Sequence, residues 1–250
     1  MRISGLLIGA AALTLASMGC RSTPKFQGYT ADELYAFGQR ASEAGEWSEA
    51  VEALELLISF DPNYTRMGEA RLLLADAYFQ KEDYLTAASE YIRILSRYPG
   101  TELQPRAALG VCRAYVGLSP IPQRDQTHTI QALNSCRNTA NDYPGREEGH
   151  FADSLAVDMA ERLAEKGFQT GEFYFSRDFF DSARVYYEQV VGDWPSTSFA
   201  PRSLLRLYEL FVEIGYDDLA EEARTRLLRE YPESESARTL PAVADTTGAG

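Results

Sequence analysis

Apolar residues recur at helical spacing along the chain, in blocks that end at a proline. In residues 171–195, the side chains that form one apolar helix face are Phe180, Ala183, Tyr187 and Val190. Pro195 ends this block, because proline cannot continue a helix and restricts the residue before it. Another helical pattern precedes the turn at residues 176–178, and the small residues Gly171 and Ala183 lie where the two helices can approach closely. The stretch therefore predicts a helix hairpin.

The same unit occurs five times. In every copy an alanine precedes a proline by twelve residues; the pairs are Ala50 and Pro62, Ala87 and Pro99, Ala132 and Pro144, Ala183 and Pro195, and Ala220 and Pro232. Helix hairpins that repeat with a period of about 34 residues are typical of tetratricopeptide (TPR) arrays. We therefore predict an all-α fold, a TPR-like superhelix of five helix-turn-helix pairs that forms one elongated domain.

The first and third pairs show where individual helices should begin. Thr30 or Asp32 is placed to cap the first helix. In the third pair a loop with two prolines, residues 117–126, replaces the tight turn found in the other copies. Thr127 is then predicted to cap a helix that runs to Asn141.

The fourth pair opens with a long helical pattern, residues 147–176. A kink is expected at Gly167 or Gly171, because glycine weakens a helix interior by about 1 kcal/mol. The array is predicted to occupy residues 29–240. It is followed by a tail of small and polar residues, 241–250, whose composition is typical of disorder.

The amino terminus reads as a leader for export. Its apolar run of about fourteen residues, 3–16, is shorter than the roughly 20 residues of a membrane span. We interpret residues 1–19 as a signal peptide. The sequence before Cys20 resembles a bacterial lipobox, although Ser17 stands where leucine is usual. This resemblance implies a lipidated Cys20 followed by a linker to residue 28; simple cleavage and an uncleaved anchor remain open.

Composition excludes several classes of function. The 250 residues carry a formal net charge of −13, which argues against a nucleic-acid binder because phosphates require a basic surface. The two histidines, His128 and His150, do not form a metal-ligand spacing, and no glycine-rich phosphate loop occurs. We therefore predict no enzyme, no cofactor and no metal site.

Two cysteines lie inside the predicted array. Cys112 falls on the inner face of the first helix of the third pair, where Ala75 lies in the second pair. Cys136 takes the apolar position that Tyr91 and Tyr187 hold in other pairs. Both read first as small buried hydrophobic residues, and an exported location also permits a disulfide between them.

What remains for this fold is binding. First helices of such pairs line a concave groove, and the residues expected to project into it are Tyr35, Gln39, Leu72, Asp76 and Phe79. Their mixture of aromatic and polar side chains suits an extended peptide better than a terminal carboxylate; ordinary packing between repeats is the alternative for each. The last two pairs offer a mixed-charge surface for a folded partner through Arg202, Arg206, Arg224 and Arg226.

Taken together, the leader, the five repeats, the loop at 124–127 and the long fourth-pair helix resemble the BamD family over residues 29–236. The resemblance implies an outer-membrane lipoprotein that is anchored by its acylated Cys20 and faces the periplasm. It implies binding of unfolded outer-membrane proteins at the amino-terminal repeats. Docking on BamA, beside other Bam lipoproteins, is implied at the carboxy-terminal repeats.

A TPR lipoprotein that coordinates peptidoglycan or division machinery, of the Tol-associated coordinator type, is the alternative. That family carries a coiled coil before its repeats, whereas only residues 21–28 separate Cys20 from the array here.

Overall fold

The computed structural model describes residues 25–241, and the predicted leader, Cys20 and residues 242–250 lie outside them. In this part of the chain ten helices form five antiparallel pairs, followed by one short helix. We call the first helix of each pair helix A and the second helix B. The pairs are α1 (Ala31–Glu43) with α2 (Trp47–Phe60), α3 (Met67–Gln80) with α4 (Tyr84–Arg97), α5 (Leu103–Leu118) with α6 (Thr127–Asp142), α7 (Glu147–Phe175) with α8 (Phe180–Asp193), and α9 (Phe199–Glu213) with α10 (Asp217–Glu230); α11 is Glu235–Thr239. The predicted all-α TPR-like superhelix is confirmed.

Helix ends follow local chemistry. Of the two predicted caps, Thr30 is the one that caps α1, and Asp32 lies in the first turn. The Thr30 hydroxyl accepts from the Glu33 amide at 3.3 Å, and the Thr30 amide donates to the Glu33 carboxylate at 2.8 Å. Such a capping box satisfies backbone donors that the helix leaves unpaired. Every helix B ends two residues before the repeat proline. The turn inside the first and fifth pairs passes through Gly45 and Gly215, both at φ +75°, which glycine adopts without steric cost.

The third pair begins its helix B differently from the prediction. Thr127 is the first residue of α6 and not its cap. Its amide donates to Oδ1 of Asp125 at 3.0 Å, so the aspartate side chain supplies the acceptor. The cap position is Gln126, whose side chain makes no capping hydrogen bond. The contact of Asp125 is a local bond to the backbone amide two residues on, of the kind that aspartate makes in turns.

The core is a series of buried clusters along the array. One joins the first and second pairs, and three more join each later pair to the next. The repeat alanines are at most 4% exposed; they are Ala50, Ala87, Ala132, Ala183 and Ala220. The predicted packing role of Ala183, fully buried between helices, agrees with its position.

The long helix α7 runs without interruption from Glu147 to Phe175, through Gly167 and Gly171, the two glycines at which a kink is expected. Both glycines pack against α8. A Cβ on Gly167 would lie 2.6 Å from Cγ2 of Val190, and one on Gly171 would lie 2.5 Å from the ring of Tyr187. Both glycines therefore allow the close approach of α7 and α8.

Cys112 and Cys136 are joined by a disulfide between α5 and α6. Both residues are fully buried. The bond spans the same contact between helix A and helix B that Gly171 and Tyr187 form in the fourth pair. Of the two interpretations open from the sequence, the structure has the bonded one.

Candidate binding surface

A groove of about 370 Å³ crosses α1, α3 and α5, the helices A of the first three pairs. Its volume falls in the range of ligand-binding clefts, roughly 300 to 1,000 Å³. Gln39, Asp76 and Phe79 line it, so the structure brings together three of the five residues predicted to bind a peptide.

Asp76 is held in place from two sides. The Tyr91 hydroxyl donates to Oδ1 of Asp76 at 2.6 Å, and Arg106 of α5 pairs with its other oxygen. Burial raises the pKa of the Tyr91 phenol above its ordinary value, and the Asp76 carboxylate raises it further. The tyrosine therefore stays protonated as a donor, and the groove presents a fixed pair of opposite charges.

Two of the predicted groove residues lie elsewhere. Tyr35 is buried against the start of α3, where its hydroxyl donates to Glu69 at 3.2 Å and the Arg66 guanidinium covers its ring at 4.3 Å. Leu72 is 6% exposed and packs in the cluster that joins the second and third pairs. For both residues the structure therefore corrects the expected projection into the groove, since they take part in packing between helices.

The groove is also lined by residues that the repeat pattern does not single out. Trp47 of α2 lines it, as do Arg106 and Arg113 of α5. The Arg113 guanidinium lies 4.4 Å from the centre of the Phe79 ring, a cation–π contact. The sequence does contain a signal for Arg113. Cys112 and Ala75 hold the same position in their repeats, so Arg113, the next residue, corresponds to Asp76. Extending the repeat register into the third pair would have found it.

A second cleft, of about 820 Å³, lies between α7, α9 and α11 and contains Arg202 and Arg206. The Arg202 guanidinium lies 4.5 Å from the Phe168 ring centre. Arg206 donates to Glu172 at 2.8 Å and to Glu209 at 2.6 Å. Its charge is therefore balanced by carboxylates on two helices.

The other two arginines predicted for partner docking are separate from that cleft. Arg224 pairs with Glu221 at 3.3 Å, and Arg226 pairs with Glu230 at 3.2 Å, both within α10. Arg226 lines a shallow acidic surface of α10. The structure thus divides the four predicted arginines between two places, α9 and α10.

The arrangement of polar groups is one of binding surfaces. Among residues 25–241, no three side chains of His, Cys, Asp or Glu are grouped so as to hold a metal ion. His128 is half-buried, and its Nδ1 lies 2.9 Å from Oε1 of Gln131, one turn along α6. Over the same described range, no helix has the length and apolar character needed to cross a membrane.

Comparisons with known proteins agree with this picture. The chain is 26% identical over 231 residues to an outer membrane protein assembly factor BamD of Caulobacter vibrioides, covering 92% of this chain and 75% of that protein. It is 25% identical to the BamD of Vibrio cholerae, covering 89% of this chain and 95% of that protein. A TPR repeats protein from Bacteroides fragilis, 14% identical, superimposes with a TM-score of 0.50 over 84% of this chain and 95% of its own, which shows the shared fold.

The family described as YfiO, outer membrane lipoprotein, matches residues 27–227, which is more than half of the sequence and includes all five pairs up to Leu227 of α10. The resemblance to the BamD family that the repeats and the long fourth-pair helix indicated is confirmed. The chain belongs to the YfiO family of outer membrane lipoproteins.

Proposed function

We propose that this protein is a scaffold lipoprotein of the machinery that inserts β-barrel proteins into the outer membrane. The observation that carries the proposal is the family match over residues 27–227. It is supported by relatives that are named outer membrane protein assembly factors and that match most of the chain. In this role the protein binds and positions other proteins and catalyses no covalent reaction.

The groove across α1, α3 and α5 is the proposed site for unfolded client proteins. An extended segment needs apolar pockets for alternate side chains and polar groups for its backbone. Phe79 and Trp47 supply the apolar surface, and Gln39 supplies an amide. The pair formed by Asp76 and Arg106 offers one charge of each sign, which suits segments that carry either.

The cleft with Arg202 and Arg206 is the proposed docking site for a folded partner of the BamA type. Its arginines are preorganised by Phe168, Glu172 and Glu209, so little side-chain entropy is lost when a partner binds. The coordinator alternative predicted from the sequence gains no support from the relatives named above.

The protein is further proposed to face the periplasm from the outer membrane, held by acyl chains on Cys20. Two or more acyl chains anchor a protein stably where one is marginal. Accessory Bam lipoproteins are proposed as further partners. Bound nucleic acid is not part of this proposal, because the net charge of −13 repels phosphate.

A photocrosslinking amino acid at Gln39 tests the client site. Incubated with a urea-unfolded outer-membrane protein, this variant should form crosslinked adducts. The matched control places the same group at Leu85, which is 61% exposed on α4 and outside the groove. Equal crosslinking at both positions would mean that contact is unspecific and would overturn the client site.

A further inference from the structure

The amino-terminal end of the array carries an exposed apolar surface. Tyr29 precedes α1, and Leu56 and Phe60 lie one helical turn apart on α2. Their exposed fractions are 39%, 39% and 64%. They border one cleft of about 760 Å³, whose floor includes the buried Phe26. We call Tyr29, Leu56 and Phe60 the amino-terminal apolar patch.

The patch lies next to the point where the chain leaves towards Cys20. Phe26, which lines the same cleft, contacts Tyr29 with ring centres 5.5 Å apart. Only five residue steps separate Cys20 from Lys25. A fully extended chain spans at most about 3.6 Å per residue, so a membrane that holds Cys20 lies within about 18 Å of Lys25.

The charged side chains nearest the patch are two carboxylates that line the cleft, Asp32 and Asp61, and the ammonium group of Lys25. Lys25 pairs with Glu49 at 3.0 Å, and the carboxylate of Asp32 accepts from the Tyr64 hydroxyl at 2.8 Å. A strongly acidic protein gains nothing from an anionic surface. What the patch offers a membrane is therefore apolar contact, with aromatic side chains of the kind that are enriched at the level of lipid head groups.

We propose that the amino-terminal apolar patch inserts shallowly into the same lipid leaflet that holds the acyl chains of Cys20. The inference rests on the lipid anchor in the proposed function and adds a second contact to it. A lipid tether alone leaves the array free to rotate, whereas the patch fixes which end of the array touches the bilayer. The occupant of the cleft is thus lipid and not a protein.

The test uses the lipidated full chain, reconstituted in vesicles of phosphatidylethanolamine and phosphatidylglycerol. Phe60→Cys provides a free thiol for a polarity-sensitive dye, because Cys112 and Cys136 are bonded to each other. The control is Phe179→Cys, a phenylalanine of similar exposure, 58%, in the turn of the fourth pair. We expect a blue shift of dye emission and quenching by nitroxide-bearing lipid at position 60, and neither at position 179.

The outcomes separate the inference from the anchor. If the protein does not float with vesicles, the anchor is wrong and the patch has no leaflet to enter. If it floats but the dye at position 60 stays in water, the anchor stands and the inference is overturned. A shift that appears only in native envelopes, or that grows with protein density without nitroxide quenching, would assign the patch to another protein or to a second copy.

A second variant checks cooperation within the patch. Adding Tyr29→Ser and Leu56→Ser to Phe60→Cys should remove most of the blue shift, because the apolar area available for insertion falls. Both positions are exposed, so the fold should be kept, as circular dichroism would verify. An undiminished shift in this folded variant would contradict insertion by the patch.

Discussion

The ring of Tyr187 occupies the space that a side chain at Gly171 would need. A Cβ placed on Gly171 would lie only 2.5 Å from Cε1 of Tyr187. The close approach brings the tyrosine hydroxyl to the carboxylate of Glu172 on α7, to which it donates at 2.5 Å. Glu172 in turn accepts a hydrogen bond from Arg206 in the second cleft, between α7, α9 and α11. A glycine in the core thereby sets the position of a charge in the proposed docking site.

Replacing Gly171 with alanine should destabilise the protein, because the new methyl group meets an aromatic ring that has no room to move. Overpacking of this kind costs about 1–3 kcal/mol. For a chain of this size each kcal/mol lowers the melting temperature by about 2–4 °C. Thermal unfolding followed by circular dichroism measures the loss.

Gly192 provides the matched control on α8, since a Cβ there would meet no atom within 4 Å. Alanine at this exposed helical position should be neutral or stabilise by up to about 1 kcal/mol. Equal melting temperatures for the two variants would contradict the proposed close approach of α7 and α8.

Alkaline pH should unfold the protein partly through its buried tyrosines. Burial, and the neighbouring Asp76 and Glu172, raise the pKa of Tyr91 and Tyr187 in the folded state. An unfolded tyrosine ionises near pH 10. The stabilising contribution is therefore complete below about pH 10 and is lost as the pH rises towards the folded-state pKa.

Urea midpoints between about pH 8 and pH 11 should fall less steeply in Tyr91→Phe than in the parent protein. Tyr216→Phe is the control, because Tyr216 is 57% exposed and should leave the slope unchanged. Parallel slopes in all three proteins would show that the phenol of Tyr91 does not report on folding.

The disulfide should contribute to stability mainly through the unfolded state. Cross-linking residues 24 apart removes chain entropy worth about 2–4 kcal/mol. The variant with both Cys112→Ala and Cys136→Ala should therefore unfold at lower urea than the oxidised parent. Dithiothreitol should leave the urea midpoint of this variant unchanged. Equal urea midpoints for the oxidised parent and the variant would contradict the prediction.

The spacing of the repeats predicted the helices well, because each repeat alanine packs against a helix that is close to it in the sequence. The placement of Ala183 and the end of every helix B before its proline came directly from that spacing. The groove was harder, because Tyr35 and Leu72 face neighbouring helices at angles that a single-helix pattern does not contain. Arg106 reaches Asp76 from thirty residues away, and only the stacking of pairs brings them together.

The two ends of the array should bind different proteins, and the structure refines which side chains to change. Phe79→Ala with Arg113→Gln removes the cation–π contact in the groove and should reduce crosslinking to unfolded clients. The same variant should still co-purify with a BamA-type partner, because the second cleft is untouched. Co-purification followed by immunoblotting measures the second property.

Arg202→Glu should have the opposite effect, since it reverses a charge beside Phe168 in the second cleft. Arg226→Glu is its control, because Arg226 pairs within its own helix. If Arg226→Glu loses the partner and Arg202→Glu keeps it, the docking site is on α10 and not on α9.

Cys20 lies outside the described residues, and its role as the anchor is tested in cells. Cys20→Ala should leave an unprocessed precursor or release the protein into the periplasm, because the acyl chains have no attachment site. Fractionation of the envelope after a high-salt wash separates these cases. If the alanine variant still sediments with the outer membrane, acyl chains are not what holds the protein there.

The 29 residues of α7 extend for about 43 Å, at 1.5 Å per residue, and contribute to two of the buried clusters. Met159 packs with the third pair, and Phe168 packs with the fourth and fifth. Repeat arrays normally fray one unit at a time, because each unit touches only its neighbours. Here one continuous helix packs against the third pair at one end and the fifth pair at the other, so we expect the third, fourth and fifth pairs to melt as one cooperative block and stepwise unfolding to be confined to the amino-terminal pairs.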